Sequence, residues 1–345
     1  MRRAALVLPG RGSYTEASLG SLPGEHPLVA RAEKLRAERG LPPLLELDRA
    51  ERFRPSVHLA PRNASALIYV ASMLDVERAF ASHRVVCVGG NSLGWYTALA
   101  AAGSLSFEEG FRLVQEMALI QEEFGVGGQI VYPVVGEDWR PDPVAQGRVR
   151  RALEAAGGEA FLSIRLGGYA VLGGTRRGLE RAAAELPPAE RRGRRYPFAL
   201  ARHHAYHTPL LARVAEAARE RLSGLAFRPP DVTLVDGRGC RHTPWSGDPA
   251  GLREYTLGAQ IVETYDLTCS VRVMLREYAP DAVVLPGPGN TLGGVVGQIM
   301  IEEGYRGLSS KSDFDAAQRG TAPPVVSMGR AEPPERQGGD PARAG

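Results

Sequence analysis

The chain has 345 residues, 43% of them hydrophobic and 23% charged, a globular profile with room for one large domain carrying an inserted module, or for two domains. A net charge of +3, with no zinc-finger spacing or RNA-binding signature beside it, argues against nucleic acid as a partner, and no run approaches 18 apolar residues, so no membrane span is expected. The 3 cysteines, at 87, 240 and 269, are odd in number and far apart, which suggests no disulfide framework and fits a reducing cytoplasm.

Met1-Arg2-Arg3 has the look of a signal n-region, but the apolar run behind it stops at Pro9-Gly10-Arg11-Gly12, so residues 4–8 read as a first strand. Helical composition follows over 27–39 and 65–80. A strand at 84–88, a helix at 95–102 and a helix at 107–122, with Ser106 as its N-cap, come next. Helices separated by short buried strands imply an α/β layered core. The middle of the chain changes rhythm: strand 130–135, helix 143–156, strands 161–165 and 169–172 joined around Gly167-Gly168, helix 175–186, strand 196–200. That order, β-α-β-β-α-β, is a ferredoxin-like unit. The larger pattern resumes with a helix at 210–225, a strand at 232–235, helical sequence over 252–277 in two pieces, a strand at 281–285 and a helix at 292–303. The expected organisation is a discontinuous core of 1–127 and 201–307, an inserted subdomain of 128–200, and an extended or disordered tail over 308–345, where glycine, proline and charge dominate.

The segment with the most chemical content is Gly90-Asn91-Ser92-Leu93-Gly94. It follows the apolar run Val85-Val86-Cys87-Val88 and opens a helix, so strand, G-x-S-x-G and helix stand in the order of a nucleophile elbow. An ordinary Gly/Ser-rich turn is the plainer alternative. A serine nucleophile needs a base. His207, in Tyr206-His207-Thr208-Pro209-Leu210, sits between a strand and a helix, where α/β folds place functional groups; His203 and His204 compete with it.

With these residues in place, the chain resembles the malonyl-CoA:acyl carrier protein transacylase family, which includes the acyltransferase domains of fatty acid and polyketide synthases. The likeness rests on Leu8-Pro9-Gly10-Arg11-Gly12-Ser13, on Gly90–Gly94, on Tyr206–Leu210 and on Leu285-Pro286-Gly287-Pro288-Gly289, in order across about residues 4–305. It implies an α/β-hydrolase-like core with an inserted ferredoxin-like subdomain. It also implies an acyl ester on Ser92, with His207 activating first the serine and then the phosphopantetheine thiol of a carrier protein. In such a site the main-chain carbonyl of Gln260, ahead of Leu267-Thr268-Cys269-Ser270-Val271, orients the histidine, and the amides of Leu93 and Arg11 hold the oxyanion. Coenzyme A enters as a thioester substrate; no metal or redox cofactor is implied.

Two departures from the family pattern bear on substrate choice. The elbow has Asn91 where a histidine is usual. On the following helix, Arg112-Leu113-Val114-Gln115-Glu116-Met117 puts Met117 where the family has the arginine that pairs with a malonyl carboxylate. Methionine offers an apolar wall and no donor, so an uncharged acyl group is expected. Malonyl use would need a substitute among Arg11, Arg112 and Arg165. Acyl-thioester hydrolysis that clears carrier proteins, and a non-enzymatic scaffold, are further alternatives. Arg191-Arg192-Gly193-Arg194-Arg195, with Arg202, is either a docking surface for an acidic carrier or a solvated basic loop.

Overall fold

In the computed structural model, which describes residues 1–191 and 193–329, β1 (Arg3–Leu8) is buried at every position from Ala4 onward. A continuous apolar run of this kind fits a strand covered on both faces. The chain then runs through α1 (Pro27–Ala37), α2 (Leu44–Asp48), α3 (Pro55–His58), α4 (Pro61–Ser82), β2 (Arg84–Gly90), α5 (Leu93–Ala101) and α6 (Phe107–Phe124). Both α4 and α5 are apolar around most of their circumference, and so both are buried. By contrast α6 is amphipathic, and it is opened by a capping box: Ser106 Oγ accepts from the Glu109 amide at 3.2 Å, and the Glu109 carboxylate accepts from the Ser106 amide at 2.8 Å.

Next come β3 (Gly128–Pro133), α7 (Pro143–Ala155), β4 (Ala160–Leu166), β5 (Tyr169–Gly174), α8 (Arg176–Ala184), β6 (Ala189–Arg191), β7 (Arg194–Tyr196) and β8 (Phe198–Ala199). The remainder is α9 (Ala212–Arg221), β9 (Leu234–Val235), β10 (Arg241–His242), α10 (Pro249–Glu254), a π turn over Tyr255–Ala259, α11 (Gln260–Val262), β11 (Tyr265–Asp266), α12 (Leu267–Tyr278), β12 (Ala282–Leu285), α13 (Gly293–Glu302), α14 (Lys311–Gln318) and β13 (Val325–Ser327).

Two main sheets organise these elements. The larger has the order β10-β9-β2-β1-β12-β13, parallel except for the β9–β10 pair. The smaller has the order β11-β4-β5-β3-β8, antiparallel from β4 to β8. Its edge strand β11 comes from far along the chain, so the small sheet is completed by residues outside 128–200. The hairpin of β6 and β7, absent from the sequence reading, fills the stretch between α8 and β8.

The tail expected from residue 308 is corrected over 308–329. There α14 and β13 dock on the body: Phe314 is 6% exposed and lies 5.6 Å, ring centre to ring centre, from Trp139. The β13 backbone joins the large sheet through bonds of 2.9 Å from the Val283 amide to the Pro324 carbonyl and from the Met328 amide to the Leu285 carbonyl. Few apolar residues occur in this stretch, but Phe314 and Val325 sit at its docking points, and composition does not register position. The rest of the expected tail, 330–345, lies outside the described residues. Among the described residues no helix is long and apolar enough to cross a membrane.

Candidate active site

Ser92 stands at the turn between β2 and α5 with φ 55 and ψ −109, a backbone conformation that L-residues rarely adopt. The turn is held by bonds from the Asn91 amide to the Leu8 carbonyl at 2.9 Å and from the Gly94 amide to the Asn91 carbonyl at 2.8 Å. Its two glycines are sterically required. A Cβ on Gly90 would stand 2.3 Å from the Gly94 carbonyl carbon, and one on Gly94 2.2 Å from the Leu8 carbonyl oxygen. Ser92 is the N-cap of the following helix, and the Leu93 and Arg11 amides have no acceptor among the described residues.

His207 also has positive φ, at 56, and is 4% exposed. Its Nε2 accepts from Ser92 Oγ at 2.7 Å, and its Nδ1 donates to the Gln260 carbonyl at 2.6 Å, which fixes the tautomer. That carbonyl is available because α11 ends two residues later and the chain turns extended at Glu263, leaving it without a helical partner. Burial pushes the His207 imidazole down to about 4, against the opposing pull of the Gln260 carbonyl, so the ring is neutral and able to accept a proton at pH 7.

The Gln260 side chain ties the same parts together a second time. Its Nε2 donates to the Ser92 carbonyl at 3.2 Å and its Oε1 accepts from the Tyr96 hydroxyl at 2.7 Å. Tyr265 lies under His207, ring centres 5.3 Å apart, and donates to the Gly90 carbonyl at 2.5 Å. Neither tyrosine was foreseen. The helix after the elbow does place Tyr96 one turn beyond Ser92, a signal the sequence offers; Tyr265 carries none. His203 and His204 do not bond the serine: His203 Nδ1 meets the Ala201 carbonyl at 3.1 Å, and burial with the nearby Arg11 cation pushes His203 down to about 3 and lowers His204.

The dyad opens into a cleft of about 640 Å³. One wall is the α6 stripe Val114, Met117, Ala118 and Gln121, at the spacing of one helix face. Met117 is 1% exposed and lies in that wall, so the arginine position of the family is apolar in space as well as in sequence. Two proposed substitutes are corrected by their placement. Arg112 is exposed and outside the cleft lining; on the helix it is turned away from the Val114–Met117 stripe. Arg165 points outward from β4, 61% exposed in its side chain, and pairs with Asp266 at 3.4 Å. Neither lines the cleft.

Arg11 does line the cleft, but both its terminal nitrogens are engaged, with the Tyr206 hydroxyl and with the carbonyls of Arg202 at 2.8 Å and Leu59 at 3.3 Å. Arg191 and Arg194, cross-strand partners in the β6–β7 hairpin, also line the cleft, which the sequence did not indicate; Arg192 lies outside the described residues. No aspartate or glutamate is among the described lining residues. Asn91 is 8% exposed, and its Oδ1 has no partner among the described residues. Gly287-Pro288-Gly289 forms a tight loop near the site: the Gly287 amide donates to Asp75 at 2.7 Å, and the following Asn290 and Thr291 reach the cleft. Among the described residues no group of three or more His, Cys, Asp or Glu side chains is placed to hold a metal ion.

No protein-family model matches the chain. The malonyl CoA-acyl carrier protein transacylase of Haemophilus influenzae is 24% identical over 328 residues, covering 92% of this chain and 99% of that one. The Escherichia coli K12 protein of the same name is 26% identical over 331 residues, with the same coverage, 92% and 99%. Among solved structures, the malonyl-CoA:ACP transacylase of Synechocystis sp. PCC 6803 superposes with a TM-score of 0.74 at 18% identity, over 96% of this chain and 98% of that one.

Proposed function

We propose that this chain, which is similar over 92% of its length to malonyl CoA-acyl carrier protein transacylases, belongs to that family and moves an acyl group from coenzyme A to the phosphopantetheine thiol of an acyl carrier protein through an ester on Ser92. The observation that carries the reading is the 2.7 Å bond from Ser92 Oγ to His207 Nε2, with the Gln260 carbonyl behind the ring at 2.6 Å. In the first half-reaction Ser92 Oγ attacks the thioester carbonyl while Nε2 takes its proton. The carbonyl oxygen gains charge, and the Leu93 and Arg11 amides stabilise it. The C–S bond then breaks, and coenzyme A leaves as a thiol with the proton from Nε2. In the second half-reaction the carrier thiol gives its proton to Nε2 and attacks the ester, and Ser92 leaves with that proton restored. The Gln260 carbonyl does what a carboxylate does in other serine hydrolytic sites: it holds Nδ1–H and steadies the imidazolium, with a partial rather than a full charge.

The acyl group is best read as uncharged. Its pocket wall is the Val114–Met117–Ala118 stripe, and a carboxylate seated against Met117 would lose its solvation without a partner, at a cost of several kcal/mol. Asn91 holds the turn through its backbone amide and carbonyl, and its side chain does not titrate near neutrality. The arginines at the mouth, Arg191 and Arg194, with no lining carboxylate beside them, favour a substrate arm that carries phosphate and an acidic carrier behind it. One observation favours a second reading, malonyl transfer: Arg11 places a cation in the cleft with no acidic partner. We read the fold as an α/β-hydrolase-like core, 1–127 and 201–307, with the small sheet as a ferredoxin-like insertion over 128–200, extended at its edge by β11.

The test is intact-protein mass spectrometry after mixing with malonyl-, acetyl-, medium- and long-chain acyl-CoA, with Ser92→Ala as control. Serine-dependent adducts with uncharged groups alone are expected, and they should discharge onto a carrier thiol faster than into water. A malonyl adduct favours the second reading. Discharge into water alone makes the protein a thioester hydrolase, and no adduct with any thioester makes it a binding protein.

A further inference from the structure

We infer that the Arg11 side chain is a positioning residue that locks the oxyanion-donor loop to the segment carrying the general base, through the Tyr206 hydroxyl. The inference rests on the Ser92–His207 reading above. Arg11 lies in the loop after β1, and its own amide is one of the two oxyanion donors in that reading. Its neighbours are glycines: Gly12 has φ +89, and a Cβ on Gly10 would stand 2.8 Å from the Asn91 carbonyl oxygen. Gly10 therefore lets the loop approach the elbow and Gly12 takes the positive φ of the turn, but neither has a side chain with which to hold the loop there. Between them, Arg11 supplies the side-chain anchor.

That anchor crosses the cleft. One terminal nitrogen donates to the Tyr206 hydroxyl, and the other to the carbonyls of Arg202 at 2.8 Å and Leu59 at 3.3 Å. The guanidinium carbon lies 5.4 Å from the centre of the Tyr206 ring. Tyr206 immediately precedes His207 and is 6% exposed. Its other end is fixed by the small sheet: its carbonyl accepts from Ser163 Oγ at 2.7 Å, and Ser163 Oγ accepts from Gln129 Nε2 at 2.6 Å. Tyr206 is thus held at the hydroxyl by the core and at the backbone by β3 and β4. His207 follows directly, in a positive-φ conformation that depends on its neighbours being held. One residue then sets the separation between an oxyanion donor and the base. All three acceptors are neutral protein groups and both terminal nitrogens are in use, the arrangement of a clamp, while Nε is buried without a partner among the described residues.

The test uses Arg11→Met, which keeps length and loses the donors, Tyr206→Phe, which loses one oxygen and preserves the packing, and the double variant. Acylation of Ser92 is timed by quenched-flow mass spectrometry, with the acyl-CoA from the panel above that labels the wild-type protein. Each single variant is expected to slow the acylation step about tenfold and to leave the half-saturating concentration within twofold. The double variant is expected to be no slower than the slower single, because both remove one shared contact. Single variants within twofold of wild type overturn the proposal. So does a multiplicative loss in the double variant, and so does a loss confined to malonyl-CoA in Arg11→Met with Tyr206→Phe unchanged, which would make Arg11 a carboxylate receptor. If the wild-type protein forms no Ser92 adduct at all, the catalytic reading itself falls, and this proposal with it; a normal wild-type adduct with unaffected variants removes the clamp alone.

Discussion

The neutral His207 makes a quantitative prediction about acid pH. Burial pushes this imidazole down to about 4, against 6.5 for an ordinary histidine. At pH 5 a base titrating at about 4 is roughly 90% in its proton-accepting form, whereas one at the ordinary value is about 3% so, a difference of roughly 30-fold in kcat/KM. The profile of kcat/KM against pH is therefore expected to stay near its plateau down to about pH 5 and to fall by half near 4. The assay is initial-rate release of coenzyme A at low acyl-CoA, with rates returned to pH 7 as a check for irreversible loss. An acid limb centred between 6 and 7 would refute the reasoning, since it would mean the ring is solvated or faces an anion absent from the site described here. The same shift has a consequence for stability. With the folded value depressed, the unfolded chain binds more protons between about 4 and 6.5, so stability rises with pH across that window and is lost as pH falls through it. The contribution is on the order of 3 kcal/mol, readable from denaturant midpoints at pH 4.5 and 7.

Three other perturbations bear on separate parts of the argument. Met117→Arg puts a guanidinium in the α6 wall of the cleft, and the malonyl-to-acetyl ratio of kcat/KM should rise roughly 100-fold, the worth of about two charge-assisted hydrogen bonds after desolvation; an unchanged ratio would mean that the acyl group does not reach α6. Gly94→Ala forces a Cβ to within 2.2 Å of the Leu8 carbonyl oxygen and should cost about 3 kcal/mol or more, visible as a large fall in Tm together with loss of the Ser92 adduct. Phe314→Ala removes the ring packed on Trp139 and should destabilise by about 3–5 kcal/mol in denaturant unfolding; an unchanged midpoint would return this segment to the status of a loose tail.

What the sequence determined by itself is local in origin. The strand, the two glycines and the serine of the elbow lie within a dozen residues, and the steric demand at Gly90 is set within that span by Gly94, although the demand at Gly94 comes from the Leu8 carbonyl on the neighbouring strand. The same holds for the apolar stripe Val114–Met117–Ala118–Gln121, which is a matter of helical period, and for the alternation of helices and strands in the core. His207 and Gln260 were legible through resemblance, because their spacing relative to the elbow carries a pattern even though no local rule connects them. Tertiary structure decided what depends on direction and distant partners. Arg112 and Arg165 were as plausible as Arg11 on the page, yet helix phase turns one away and strand alternation points the other to solvent, while the β6–β7 hairpin brings in Arg191 and Arg194 instead. Tyr265 braces the dyad from an element that no motif links to it. The segment after 308 looked too poor in apolar residues to fold, and it does so because Phe314 finds Trp139 and Gly297 already in place, and because β12 offers an open edge for Val325. A short amphipathic stretch carries no signal of its own when its stability comes from a surface built by residues far away in the chain.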